Sequence, residues 1–109
     1  MKQLVTFAAA VLALTMSTTL AEDTKVNWDK HCASCHGKDG KGQTKAGRST
    51  GVDDLTDPEH QATLKDEKMF TSVKEGLKRG SKEKMKPFKD KLNDEEIKAL
   101  VAHVRSFKK

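Results

Sequence analysis

The chain has 109 residues, with 21 lysines and arginines against 16 aspartates and glutamates, and its formal net charge is +5. This length allows one small domain with a thin core. The basic charge suits contact with an acidic protein surface, whereas aromatic residues make up only 5% of the chain and no nucleic-acid-binding motif is present. We therefore expect no nucleic-acid partner.

Residues 1–21 have the pattern of a secretory signal peptide. Lys2 supplies a minimal positive region, Leu4 to Leu14 is apolar, and Thr19-Leu20-Ala21 places small residues before a cut at Glu22. An uncleaved membrane anchor is the alternative, but the apolar stretch is short for a span of ~20 residues. We predict a signal peptide at 1–21, a folded domain at 22–109, and no stable membrane insertion once the signal is cleaved.

The first predicted helix runs from Asp23 into the motif Cys32-Ala33-Ser34-Cys35-His36. Trp28, Cys32 and Cys35 recur at i, i+4 and i+7 and share one helix face. Two cysteines three residues apart with a histidine next form the attachment signature of c-type haem, in which the thiols bond the vinyl groups and the histidine coordinates the iron. A disulfide, a redox thiol pair or half of a zinc site are the alternatives. A zinc site would need a second Cys or His pair at zinc-finger spacing, and the sequence has none. A redox thiol pair would need a strand before the motif, and no strand pattern precedes it.

The sequence pattern in the middle of the chain predicts a loop and then a helix. Residues 37–51 are rich in glycine and lysine, which is typical of a loop, and Asp57-Pro58 is a pattern that begins a helix. A second main helix is predicted over 66–79 from apolar residues at helical spacing, with Gly80 ending it. Within it, Gly76 weakens the last turn or lets another group approach closely.

The last part of the chain predicts a cationic loop and a third helix. The loop covers 81–91 and holds Met85 and Pro87. The helix begins at Asn93, which forms a capping box with Glu96, and its apolar stripe continues to Phe107. Because no segment has a strand pattern, we predict an all-α chain of three main helices.

A haem held by one histidine leaves the other face of its iron open for a second ligand. The candidates are Met85, Met69, His60, His103 and His31. Met69 lies on an apolar helical stripe, which favours core packing, and His31 adjoins the haem-bearing turn and cannot easily reach the opposite face. Met85 is different, because it lies in a charged loop beside Pro87 with no apolar stripe to join. A thioether there would favour ferrous iron and raise the potential.

These motifs resemble those of small bacterial class I cytochromes c, and the resemblance covers nearly all of residues 22–109. The matching segments are Cys32-Ala33-Ser34-Cys35-His36-Gly37, Gly40-Lys41-Gly42, Met85-Lys86-Pro87-Phe88 and residues 93–101. The resemblance implies a cytochrome c-like fold of three main helices with loops wrapped around one covalently attached haem c. It further implies thioether bonds at Cys32 and Cys35, His36 as the proximal ligand, Met85 as the distal ligand, and haem attachment outside the cytoplasm.

Two positions depart from that family pattern. Arg48 follows Gly47 where a proline often stands, whose carbonyl accepts the hydrogen bond of the proximal imidazole; the resemblance predicts this role for the Arg48 carbonyl. His103 stands where an aromatic residue, frequently tyrosine, packs in the contact between the terminal helices. We predict that Trp28 packs against the last helix near Leu100 and His103.

The resemblance implies a soluble periplasmic electron carrier and not an enzyme, because iron with both His36 and Met85 bound has no vacant site for a substrate. We expect redox partner proteins with acidic docking surfaces, and a monomer. The predicted docking lysines surround the Met85 loop: Lys82, Lys84, Lys86, Lys89 and Lys91. The alternatives are an ordinary solvated loop for these lysines, an enzyme or sensor that binds peroxide or a diatomic gas beside His60, and a thiol–disulfide module.

Overall fold

The structure is a computed structural model that describes residues 16–109, with side chains from Glu22 onward. Its elements are, in chain order, α1 (Met16–His31), α2 (Ala33–His36), α3 (Lys45–Thr50), α4 (Pro58–Thr63), α5 (Asp66–Glu75), β1 (Leu77–Arg79), β2 (Lys82–Met85) and α6 (Asp94–Ser106). The side chains of the predicted signal peptide, 1–21, lie outside the described residues, so that segment stays a prediction. Among the residues described, no helix combines the length and apolarity needed to cross a bilayer.

The helix starts follow the capping residues in the sequence. Asn93 accepts a hydrogen bond from the Glu96 amide, and the Glu96 side chain accepts one from the Asn93 amide, so the predicted capping box is confirmed. At α4 the Asp57 side chain accepts a hydrogen bond from the Glu59 amide, and Pro58 occupies the first turn. These side chains satisfy amides that would otherwise lack a partner at a helix start.

The prediction of a helix over 66–79 is wrong in its last part, and so is the absence of strands. Helix α5 ends at Glu75 because Gly76 has φ +85°, a backbone conformation that few side-chain-bearing residues adopt. The chain then forms an antiparallel hairpin of β1 and β2, with a turn at Gly80. The fold is therefore mostly helical, as predicted, but not strictly all-α. A short helix, α3, also lies inside the segment predicted as a loop.

The core lies between α1 and α6. Trp28 is 3% exposed, Leu100 is 2% exposed, and both belong to one cluster of buried side chains with Cys32 and Ile97. The rings of Trp28 and His103 lie 5.2 Å apart between centroids, so the predicted contact between the terminal helices is confirmed. This contact places the end of α1, and hence the cysteine motif, against α6.

A hydrogen-bond network centred on Gln61 joins α4 to α6, and no sequence pattern predicted it. Gln61 is 3% exposed, and its Nε2 donates to the carbonyls of Leu55 at 2.7 Å and Val104 at 2.8 Å. Arg105 donates from Nη1 to the Gln61 side chain at 3.0 Å, from Nη2 to the Leu64 carbonyl at 2.8 Å, and from Nε to an Asp66 oxygen at 2.9 Å. Both polar atoms of the buried Gln61 amide therefore have hydrogen-bond partners.

We expect Gln61→Ala to reduce the free energy of unfolding by about 2–3 kcal/mol, because it leaves the buried Leu55 carbonyl without its donor and removes one hydrogen bond each from the Val104 carbonyl and from Arg105. Denaturant titration of the purified protein measures this change. The matched control is Gln43→Ala, the same substitution at an exposed position, which should stay within about 0.5 kcal/mol. Equal effects of the two substitutions would contradict the role given to the network.

Candidate functional site

The cysteine motif is held in place because its backbone carbonyls accept hydrogen bonds from the segments before and after it. Four consecutive carbonyls, those of residues 34–37, each accept a bond from the flanking segments. The donors are Thr44 Oγ1 to Ser34 at 2.8 Å and to Cys35 at 3.0 Å, the Gly42 amide to His36 at 2.7 Å, and Trp28 Nε1 to Gly37 at 2.9 Å. The orientation of the motif is therefore fixed by the loop that follows it and by the indole before it.

Gly47 brings α3 into direct contact with the motif. A Cβ atom at this position would collide with the Cys35 carbonyl oxygen and would lie 2.6 Å from the Gly42 carbonyl oxygen. Both neighbours are backbone atoms, which cannot move aside as a flexible side chain can. The close approach of α3 to the motif thus depends on glycine at this position.

A cavity of about 370 Å³ lies beside the motif, within the range of ~300–1,000 Å³ that small-molecule and cofactor sites occupy. Three of its walls come from the motif, from α5 and the hairpin, and from α6, and residues between Thr50 and Lys65 complete the lining. The first wall includes Cys32 and His36, the second Met69, Leu77 and Met85, and the third Leu100, Val101 and Val104. The cavity thus brings together three of the four predicted site residues, Cys32, His36 and Met85. Cys35 is half-buried and is not among the lining residues.

His36 lies at the cavity with one ring nitrogen enclosed by protein. Its Nδ1 atom is buried and has no hydrogen-bond partner among the described residues. The bond predicted from this imidazole to the Arg48 carbonyl is therefore not formed. Burial lowers the pKa of His36, which favours the neutral imidazole, and neutral imidazole is the form that binds metal ions.

The two cysteines are not joined in a disulfide. Burial raises the pKa of the Cys32 thiol to about 12, so this residue is a neutral thiol. Redox-active thiol pairs have the opposite property, a lowered pKa that maintains a thiolate. The thiol–disulfide alternative therefore receives no support from Cys32. Among the described residues, no group of three or more His, Cys, Asp or Glu side chains is placed to hold a metal ion.

The five candidates for a second iron ligand separate into two groups. Met85, Met69 and His60 line the cavity, and His60 also lies 3.6 Å from an Asp53 carboxylate oxygen. His103 packs between Trp28 and Phe107, and His31 packs on the ring of Phe88 at 5.6 Å between centroids; neither lines the cavity. Met69, for which the sequence favoured core packing, is thus part of the cavity wall.

Comparison with known proteins identifies the family. A family model described as "Cytochrome C oxidase, cbb3-type, subunit III" matches residues 19–104. The chain belongs to this family of c-type cytochromes. Its fold is similar to that of "KustC0563 c-type cytochrome", at 42% sequence identity and a TM-score of 0.69, with 79% of this chain and 98% of that chain covered. A tyrosine-to-phenylalanine mutant of Kustc0563 matches at 42% identity and a TM-score of 0.67, covering 79% and 99%. No curated protein matches the chain.

A small c-type cytochrome carries haem c and functions in electron transfer, typically as a carrier and not as an enzyme. The residues of this cytochrome fit such a group. The cavity is large enough for a cofactor, its third wall is aliphatic, and a cysteine of the attachment signature and a neutral histidine lie on it. The close-packed glycine at position 47 and the bonded carbonyls of the motif hold these two residues in place.

Proposed function

We propose that the protein is a periplasmic electron carrier with one haem c bound covalently through Cys32 and Cys35 and coordinated by His36 and Met85. The observation that supports this proposal is that one cavity is lined by Cys32, His36 and Met85, although Cys32 and Met85 are separated by about three-fifths of residues 22–109. When bound, haem c supplies a one-electron couple between ferric and ferrous iron.

The chain's own residues would hold and shield that group. The aliphatic wall of α6 excludes water, and a neutral thioether beside it favours the less charged ferrous state, so both raise the potential. Met85 is positioned by the hairpin, in which it pairs with Leu77. A Cβ atom at Gly76 would lie 2.9 Å from the Met85 carbonyl oxygen and 3.0 Å from the Pro87 nitrogen, so the chain on both sides of the hairpin is closely packed.

The electron partner is proposed to be a protein with an acidic surface. Of the five lysines around Met85, Lys84 is half-buried and donates to the Thr50 carbonyl, and Lys89 pairs with Glu75 at 3.5 Å. Lys82, Lys86 and Lys91 are exposed and form no ion pair within the described part of the chain. Leu77 is 48% exposed and lines the cavity, and it lies five residues before Lys82 in the chain. An apolar residue among unpaired cations suits a transient contact with an acidic partner.

A second function, binding of peroxide or a diatomic gas at an open iron, is favoured by one observation, the location of His60 on the cavity wall next to Asp53. A polar side chain on the distal side is what such chemistry needs. It also requires that no methionine occupies the sixth position. Immediate carbon monoxide binding by the wild-type protein would select this function over the carrier.

Covalent attachment is tested by mass spectrometry of the protein purified from an exporting host. One haem should remain bound after acid–acetone extraction, and the mass should correspond to a chain that begins at Glu22. The double variant Cys32→Ser, Cys35→Ser should lose all covalently bound haem, because no thiol is left to form a thioether. Ser34→Ala changes an exposed side chain within the same motif and should retain the haem. Haem that is extracted from the wild-type protein would overturn the proposal.

A further inference from the structure

The cavity wall carries more positive than negative charge. Four cationic side chains line it, those of Lys65, Lys68, Arg79 and Lys84, against the single carboxylate of Asp53. None of the four forms an ion pair with a carboxylate in the described residues, and Asp53 faces His60 instead. Lys65, Lys68 and Arg79 are exposed to solvent and Lys84 is half-buried, so an anionic group on a ligand of the cavity would stabilise Lys84 most.

Lys84 is the cation that the fold positions most closely. It is half-buried, and its Nζ atom donates to the Thr50 carbonyl at 3.1 Å. Thr50 ends α3 and itself lines the cavity. An ammonium group has three donors, so this bond holds the Lys84 ammonium at the wall and leaves further donors for a ligand.

A bulge in the hairpin explains why Lys84 faces the cavity together with Met85. Leu77 pairs with Met85 and Lys78 pairs with Glu83, so Lys84 is the extra residue of β2 with no partner on β1. Consecutive residues of a regular strand point to opposite faces, whereas a bulge redirects one side chain. Lys84 and Met85 both line the cavity, which a regular strand would not allow.

We propose that Lys84 binds a propionate carboxylate of the haem, which makes it a positioning residue for the cofactor and one that sets its potential. This inference rests on the proposed function, since the carboxylates are those of haem c. The bond is a charge-assisted hydrogen bond from Nζ to a carboxylate oxygen at a half-buried position. It compensates a negative charge that would otherwise stabilise ferric iron, so it raises the potential.

The test compares Lys84→Gln with Lys82→Gln, a variant that loses the same charge from the same hairpin at a residue outside the cavity lining. In Lys84→Gln the ratio of oxidised to reduced protein at a fixed electrode potential should rise roughly tenfold, equivalent to ~59 mV for a one-electron couple. The propionate bending bands in the resonance Raman spectrum should shift in the same variant. Lys82→Gln should change neither readout appreciably.

Lys84→Arg separates charge from structure, because it keeps a cationic donor. Its potential should stay close to that of the wild-type protein. If the potential of Lys84→Arg is lowered as much as that of Lys84→Gln, the propionate assignment is wrong. It is also wrong if Lys84→Gln and Lys82→Gln have the same potential and the same Raman bands. Failure of the proposed function is seen separately, in the wild-type protein, as extractable haem or as an absorption spectrum without methionine ligation.

Discussion

Met85→Ala is expected to lower the midpoint potential by on the order of 0.1 V, since axial ligands tune haem potentials over a range of ~0.8 V. Under the proposed ligation, the substitution removes the thioether that favours ferrous iron and leaves the iron open to carbon monoxide, cyanide or peroxide. The weak sulfur-to-iron charge-transfer band at the red edge of the visible spectrum of the oxidised protein should disappear. Redox titration and carbon monoxide difference spectra measure these changes.

The control for Met85→Ala is Met69→Ala, because Met69 is the other methionine on the cavity wall. Met69→Ala should reduce the free energy of unfolding by no more than about 2–5 kcal/mol, which is the cost of removing a packed methionine side chain. The charge-transfer band and the resistance to carbon monoxide should be retained. If Met69→Ala loses the band and Met85→Ala keeps it, the ligand is Met69. If wild-type protein binds carbon monoxide at once, neither methionine is a stable ligand and His60 becomes the next residue to substitute.

Trp28→Ala is expected to reduce the free energy of unfolding by about 3–5 kcal/mol, the usual cost of truncating a buried aromatic side chain. Trp28 is 3% exposed, and its ring lies 5.0 Å from that of Phe107 and 5.7 Å from that of His36 between centroids. Truncation therefore separates the motif from α6 as well as opening a void. Denaturant unfolding followed by circular dichroism measures the change, since Trp28 is the only tryptophan and its fluorescence is lost with it.

Trp28→Phe divides this effect into packing and hydrogen bonding. Phenylalanine keeps an aromatic ring in the core but cannot donate to the Gly37 carbonyl, which Trp28 Nε1 reaches at 2.9 Å. We expect an intermediate loss of about 1–3 kcal/mol, because the indole hydrogen bond and part of the packed ring are lost, while the Gly37 carbonyl keeps the Gly40 amide as a donor at 3.1 Å. A loss below 1 kcal/mol for Trp28→Ala would mean that the terminal helices do not depend on this side chain.

The parts of the fold that were predictable from sequence are those specified by residues close together in the chain. The motif at 32–36, the capping box of Asn93 and Glu96, and the start of α4 at Asp57-Pro58 all depend on spacings of a few residues. The contact of Trp28 with α6 was also predictable, because a buried aromatic on one helix needs an apolar stripe on another.

The parts that were missed depend on partners distant in the chain or on short polar strands. Strand β2 reads Lys-Glu-Lys-Met, which has no alternation of apolar and polar residues, so its pairing with β1 left no sequence signal. Gln61 and Arg105 are linked across the domain, and neither residue type indicates such a role by itself. The placement of Met69 and His60 on the cavity wall follows from packing, which spacing alone does not determine.

The bonded carbonyls of the motif have a consequence for the order in which the domain folds. The bonds from Thr44, and the bond from Trp28 Nε1, join residues nine or ten positions apart, so they close only short loops. The contact of Trp28 with His103 closes a loop that spans most of residues 22–109, and the entropic cost of loop closure grows with loop length. The segment around the motif can therefore take shape first, and the arrival of α6 completes the domain against a surface already formed.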